Sequence, residues 1–256
     1  MSSPSHIPTV LVTGAAKLRG REIALKLAAN GWRVAVHYRD SVTEATKTVA
    51  DCAYLTGGAA AFRTNLGNET AVRKLVPTVV EHLGHLDAVV HCASTFEHDT
   101  THNFSFAAME KHMRSNAGAV ILISQALHAH VQQRNDKLAQ AEQRSGVVVT
   151  LLDQNLWNQT PDFVSYTLSK AALDAANSML ARALHPIVRV VGVAQRLSQT
   201  QPMLKGEPLD NVRQHLPESA TACSAADTAS AVCIALQDAT LTGTTLLVDD
   251  AGVAND

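Results

Sequence analysis

Hydrophobic and polar positions alternate along this chain in two rhythms. Short runs rich in Val, Leu and Ala are apolar almost throughout, and longer stretches carry apolar residues every three or four positions. The short runs predict strands over Thr9–Thr13, Arg33–Tyr38, Ala59–Thr64, Leu86–His91, Gly146–Leu152, Val188–Val193 and Thr244–Val248. The longer stretches predict helices from about Leu18 to Asn30, Val42 to Leu55, Glu69 to Leu83, Phe106 to Gln133, Phe163 to Leu184 and Ala225 to Gln237. Gly31, Gly57-Gly58 and Gly84 stand where helices should stop.

Strands that are apolar on both sides and alternate with helices imply a parallel sheet covered on both faces. The expected fold is therefore a single-domain α/β, doubly wound (Rossmann) architecture over residues 1–256, with seven parallel strands and helices on both faces. In such a sheet ligands sit beyond the carboxyl ends of the strands. No break in composition marks a second domain. Gln132 to Ser145 is polar and reads as a solvated helix end with a loop. Gln199 to Pro217 holds three of the eight prolines and is expected to be a flap over the site.

Composition narrows this picture. Hydrophobic residues make up 46% of the 256 and charged residues 17%, with a net charge of −2. That balance excludes disorder and gives no reason for a nucleic-acid or membrane partner. The first eight residues lack a basic segment followed by an apolar one, and the most apolar internal stretch, Ala117 to Ile123, is too short to span a bilayer. A soluble, cytoplasmic protein is expected. The four cysteines are scattered and read as reduced, mostly packed thiols. Twelve histidines raise the question of metal, but none has metal-ligand spacing. His128 and His130 fall on different helix faces and read as solvent-exposed, so no metal site is expected.

Two segments carry chemistry. Thr13-Gly-Ala-Ala-Lys-Leu-Arg-Gly20 joins the first strand to the first helix. There a glycine turn lets the backbone approach a pyrophosphate, and a helix N-terminus offers free N–H groups. The second strand ends His37-Tyr38-Arg39, where a carboxylate would suit NAD; Arg39, with Lys17 and Arg19 nearby, suits the extra phosphate of NADP. Tyr166 and Lys170 lie one helical turn apart at the start of a helix. An ammonium beside the phenol is expected to lower the tyrosine pKa towards neutrality and ready it for proton exchange with substrate. The same spacing also arises as an ordinary surface pair. Asp153 ends the fifth strand thirteen residues before Tyr166, and Asn116 lies inside the long helix.

Together these segments make the chain resemble a short-chain dehydrogenase/reductase over its whole length, and within that superfamily the pteridine and dihydromonapterin reductases. The resemblance rests on Thr13-Gly-Ala-Ala-Lys17, His37-Tyr38, Ala93-Ser-Thr-Phe96, Asp153 and Tyr166-x-x-x-Lys170. Most family members place serine where this chain has Asp153; pteridine reductases place aspartate. A carboxylate can share a proton with a tyrosine and a ring nitrogen, which suits a C=N bond better than a ketone.

The resemblance implies an NADPH-dependent reductase with Asp153, Tyr166, Lys170 and Asn116 as its catalytic set. It implies that Gly14, Lys17, Leu18, Arg19, Gly20, His37, Tyr38, Arg39, Asn65, Leu66, Cys92, Ala93, Ser94 and Lys170 bind the cofactor. Phe96 would stack on a pterin-like ring, with Ser94, Asp153 and Tyr166 also touching substrate. Asn116 would position the lysine. A homotetramer built on the two long helices is implied as well. The chain departs from the pattern at Leu18-Arg19, Asn65, His91-Cys92, Gln195-Arg196 and Asp250-Ala251, and these changes touch the cofactor more than the proton donor. Two alternatives stay open: a carbonyl or imine reductase acting on another small substrate, and a cofactor-impaired paralogue with a binding role.

Overall fold

The computed structural model describes residues 6–157, 159, 161–195 and 224–248. The apolar runs form β1 (Thr9–Thr13), β2 (Arg33–Tyr38), β3 (Ala59–Arg63), β4 (Ala88–His91), β5 (Gly146–Asp153), β6 (Val188–Gln195) and β7 (Thr244–Val248). Valine dominates them because a β-branched side chain suits a pleated surface packed on both sides. All pairings are parallel, in the order β3-β2-β1-β4-β5-β6-β7.

The helices are α1 (Leu18–Ala29), α2 (Val42–Thr56), α3 (Glu69–Leu83), α4 (Phe106–Met113), α5 (Ala119–Asn135), α6 (Val164–Leu184) and α7 (Ala225–Gln237). On one face of the sheet Val76, Val79, Ile123, Leu127, Leu173 and Leu180 of α3, α5 and α6 close a core. On the other, Ile23, Leu27, Cys52, Val232 and Leu236 of α1, α2 and α7 close a second. Alternate side chains of each central strand feed the two cores in turn, as Val147 and Val149 against Val148 show on β5. Side-chain caps start three helices: Asn68 for α3, Ser105 for α4, and Ser224 with Asp227 in a reciprocal box for α7.

The predicted helix from Phe106 to Gln133 runs on to Asn135 and is not uniform. Arg114–Gly118 forms a π turn between α4 and α5. His128 and His130 are half-buried, not solvent-exposed as expected, because α5 packs against the sheet and α3. His130 Nε2 accepts the Leu86 N–H at 3.2 Å, and burial with Arg134 nearby lowers its pKa. Cys52 and Cys233 are packed free thiols. Among the described residues no helix is long and apolar enough to cross a membrane. The expected flap at 199–217, and the departures at Arg196 and Asp250-Ala251, lie outside the described residues.

Candidate active site

The sheet reverses its winding between β1 and β4, which lie side by side although two strands separate them in the chain. A cleft of about 1240 Å³ opens at the carboxyl ends of the strands there. Every residue expected to bind cofactor or substrate lines it, together with Gln195, one of the departures expected near the cofactor, and with Ser224 and Ala225, which no sequence signal pointed to.

The β1–α1 turn is built by close approach. Gly14 has φ +68°, and a Cβ there would lie 2.9 Å from Ala93 Cα. A Cβ on Gly20 would lie 2.2 Å from the Gly14 carbonyl oxygen. Neither position admits another residue without moving backbone. Between them, Leu18 adopts φ +51° with its side chain half exposed. The first turn of α1 carries no acidic residue, and Lys17 at its N-cap makes no side-chain cap. The positive end of the helix is therefore open to an anion.

Two histidines brace this turn. The Gly14 N–H donates to His37 Nδ1 at 3.0 Å, so Nε2 carries the proton and donates to the Thr64 carbonyl, also at 3.0 Å. Burial pushes the His37 pKa down to about 4, leaving the ring neutral. The Thr13 hydroxyl oxygen accepts from the Cys92 and Ala93 N–H groups at 3.1 and 3.0 Å and lies 3.2 Å from His91 Nδ1. Burial, then the Lys170 charge, lowers the His91 pKa to about 3. Desolvation pushes the Cys92 thiol up to about 11, so it is no thiolate.

At the rim the charges are paired. Arg39 Nε donates to Asp40 at 2.7 Å, and Arg63 lies 3.9 Å from the same carboxylate. Lys17 pairs with Glu44 at 2.8 Å. Asn65, expected to accept from an adenine amino group, already accepts the Gly67 N–H at 3.0 Å, which leaves its oxygen one lone pair.

The reactive groups lie deeper. Asp153, at the end of β5, is 2% exposed and accepts the Tyr166 hydroxyl in a very short hydrogen bond. Lys170 Nζ donates to the Leu151 carbonyl at 2.7 Å, 3.9 Å from Asp153 Oδ2 and 5.6 Å from the centre of the Tyr166 ring. The expected lowering of the Tyr166 pKa is overturned. Burial raises it well above 10, and the charge and hydrogen bond of Asp153 add to the rise. Arg19 opposes these effects and is outweighed. Lys170 is turned towards the backbone and the carboxylate.

Asn116 sits in the π turn and does not line the cleft. Its Oδ1 accepts the Thr95 N–H at 2.7 Å, and its Nδ2 donates to the Thr95 carbonyl and to Ser169 Oγ, both at 2.9 Å. It thus ties the β4 loop to the helix bearing Tyr166. Phe96 lines the cleft, meets Tyr166 edge to face at 4.5 Å, and stacks on Phe163 at 4.6 Å. Thr95 falls within Ala93-Ser-Thr-Phe96 without a role of its own being legible there, and Asp99, Phe163 and Ser169 carry no signal that marks them.

One group of side chains close enough to share a metal lies among the described residues: His6, His85 and Asp87, beside the amino-terminal ends of β1 and β4. Spacing could not reveal it, since seventy-nine residues separate the two histidines. The Asp87 carboxylate is already engaged by Arg134, the Thr9 N–H and His6, and His85 Nε2 lies 2.9 Å from the Ile7 carbonyl. These contacts make it a polar hub beneath the sheet.

The fold agrees with that of known proteins. A ketoacyl reductase 2 of the granaticin polyketide synthase from Streptomyces violaceoruber is 30% identical over 253 residues, covering 94% of each chain. A 3-oxoacyl-[acyl-carrier-protein] reductase of Synechocystis is 26% identical over 68% of this chain and 67% of its own length. The crystal structures of FolM alternative dihydrofolate reductase 1 from Brucella suis and Brucella canis, each in complex with NADP, match with TM-scores of 0.79 and 0.78 at 28% and 27% identity. They cover 94% and 97% of this chain and 93% and 98% of their own. The short chain dehydrogenase family model matches residues 8–207, and the chain belongs to that family of oxidoreductases.

Proposed function

We propose that this protein is an NADPH-dependent reductase of a pterin-like C=N bond. The observation that carries the reading is Asp153: its carboxylate takes the place of the usual serine and holds the Tyr166 hydroxyl, within a cleft walled by the Phe96 ring. The structural neighbours named as alternative dihydrofolate reductases support the same substrate class.

The residues present fit a dinucleotide. The bare N-terminus of α1, the two glycines that admit no Cβ, and Lys17, Arg19 and Arg39 in the cleft lining suit a pyrophosphate and a further phosphate. NADPH, when bound, supplies the hydride. Tyr166 keeps its proton until a ring nitrogen gains electron density, then donates it. The phenolate left behind is costly beside Asp153, and Lys170 offsets that charge from the other side. Phe96 offers an aromatic face to a planar heterocycle. Neutral His37 and His91 hold the turn and the β4 end without adding charge.

NADPH oxidation with dihydrobiopterin or dihydromonapterin tests this directly. Turnover is expected, and Tyr166→Phe should cut it by about 10²–10⁴-fold while NADPH still quenches tryptophan fluorescence. The ketoacyl and oxoacyl reductases among the relatives favour a second reading, carbonyl reduction. Good turnover of ketones with none of pterins would establish that one instead. Absence of NADPH binding at millimolar concentration would favour a cofactor-impaired binding protein.

A further inference from the structure

The aromatic wall and the proton donor come from segments seventy residues apart, yet Phe96 and Tyr166 meet edge to face. Tyr166 has anchors of its own, in Asp153 and in the α6 turn that Asn116 grips through Ser169. The Phe96 ring depends on what lies behind it. It rests on Phe163, 11° from parallel. Phe163 opens α6 at φ +57°, a conformation that a bulky residue keeps only when its surroundings enforce it.

Asp99 supplies that enforcement. Its main-chain carbonyl accepts the Phe163 N–H at 2.7 Å. Its carboxylate accepts the Ser165 N–H at 3.1 and 3.2 Å and the Ser165 hydroxyl at shorter range. The side chain at the N-cap of α6 makes no cap, so a carboxylate sixty-six residues away performs that task at the positive end of the helix. Asp99 is 5% exposed, lies outside the cleft lining and forms no salt bridge among the described residues. A buried carboxylate costs stability unless it is well hydrogen-bonded, so these contacts are demanding in geometry. Its neighbours extend the clamp. Thr100 bridges to Asp162, and His98 lies 3.1 Å from Asp162 Oδ1 with its ring edge on Phe163.

We propose that Asp99 is a positioning residue for substrate selection: by capping α6 from the β4 loop it holds Phe163 behind Phe96 and fixes the slot that admits a flat ring. This rests on the reading of Phe96 as the wall facing a planar substrate. Because Tyr166 is anchored independently, loss of the clamp should blunt selection for planar rings more than proton transfer.

The test compares the full-length wild type, Asp99→Ala and Asp99→Asn, each with NADPH, on dihydrobiopterin and on ethyl acetoacetate, a small acyclic ketone. For Asp99→Ala, kcat/KM on dihydrobiopterin should fall about 50-fold, on the scale expected for a misplaced wall, and that on the ketone only about 3-fold. Affinity for NADPH should stay within about 2-fold, and Asp99→Asn, which still accepts the Ser165 N–H, should recover most of the loss. Amide exchange at Ser165 and Thr167 should quicken in Asp99→Ala. Equal losses on both substrates would reduce Asp99 to a merely structural role and overturn the proposal, as would unchanged exchange. Should Asp99→Ala not fold, Ser165→Ala removes only the hydroxyl donor and should shift the substrate ratio in the same direction. A wild type that leaves dihydrobiopterin unreduced refutes the functional reading itself; the clamp then stands or falls on the exchange measurement.

Discussion

At the scale of the residue, Tyr166 keeps its proton because burial and an adjacent carboxylate outweigh the cations around it. A raised folded-state pKa means that the donor form persists as pH rises, so the rate should show no loss from tyrosine ionisation below about pH 10. Asp153→Asn removes the carboxylate charge and should move the alkaline limb of kcat to lower pH; a pH–rate profile of the two proteins checks this. His37 is perturbed the other way. Its folded pKa of about 4 lies below the unfolded value of 6.5, so between these pH values the unfolded chain binds more protons. Stability should therefore fall as pH drops through that window, by roughly 3 kcal/mol in all. His37→Gln can keep both hydrogen bonds and should flatten the dependence, as urea titrations at pH 7 and pH 4.5 would reveal. The tyrosine, lysine and aspartate were legible because they lie close in sequence on elements with clear periodicity. The direction of the tyrosine shift was not, since it depends on burial and on which way Lys170 turns, and neither is written in spacing.

At the scale of the element, the β1–α1 turn is the most constrained. Gly20→Ala would drive a Cβ into the Gly14 carbonyl, which belongs to backbone and cannot swing aside. Loss of NADPH binding by fluorescence titration and a fall in Tm of several degrees are expected, about 1–3 kcal/mol of overpacking strain. Strands and helices were read within a few residues because valine-rich runs and glycine stops are local signals. The π turn at Arg114–Gly118 was not, because Arg-Ser-Asn-Ala-Gly shows no break in apolar periodicity. The links from Thr13 to His91, His37 to Thr64 and Asp99 to Ser165 were hidden for another reason: their partners meet only once the sheet has formed.

At the scale of the whole molecule, the doubly wound architecture followed from the alternation of strands and helices, whereas the strand order, with the reversal between β1 and β4 that places the cleft, is a matter of which strands pair in space and is not written in that alternation. Assembly is a separate matter. Phe106 on α4 and Met179 on α6 are 80% and 70% exposed. We expect a homotetramer through these helices, measured by sedimentation velocity, and Phe106→Glu should shift it towards smaller species. The π turn then acquires a further meaning. Its wider coil carries one residue more than an α-helical turn, so it advances the phase of the helix by roughly 100°. Upstream, Glu110 and Lys111 line the cleft; downstream, Ile123 and Leu127 pack in the core. One rod thus serves two surfaces that a uniform screw would misalign. Deleting a single residue there would restore the regular screw and rotate α4 out of register with the rest, a greater disturbance than replacing any side chain it carries.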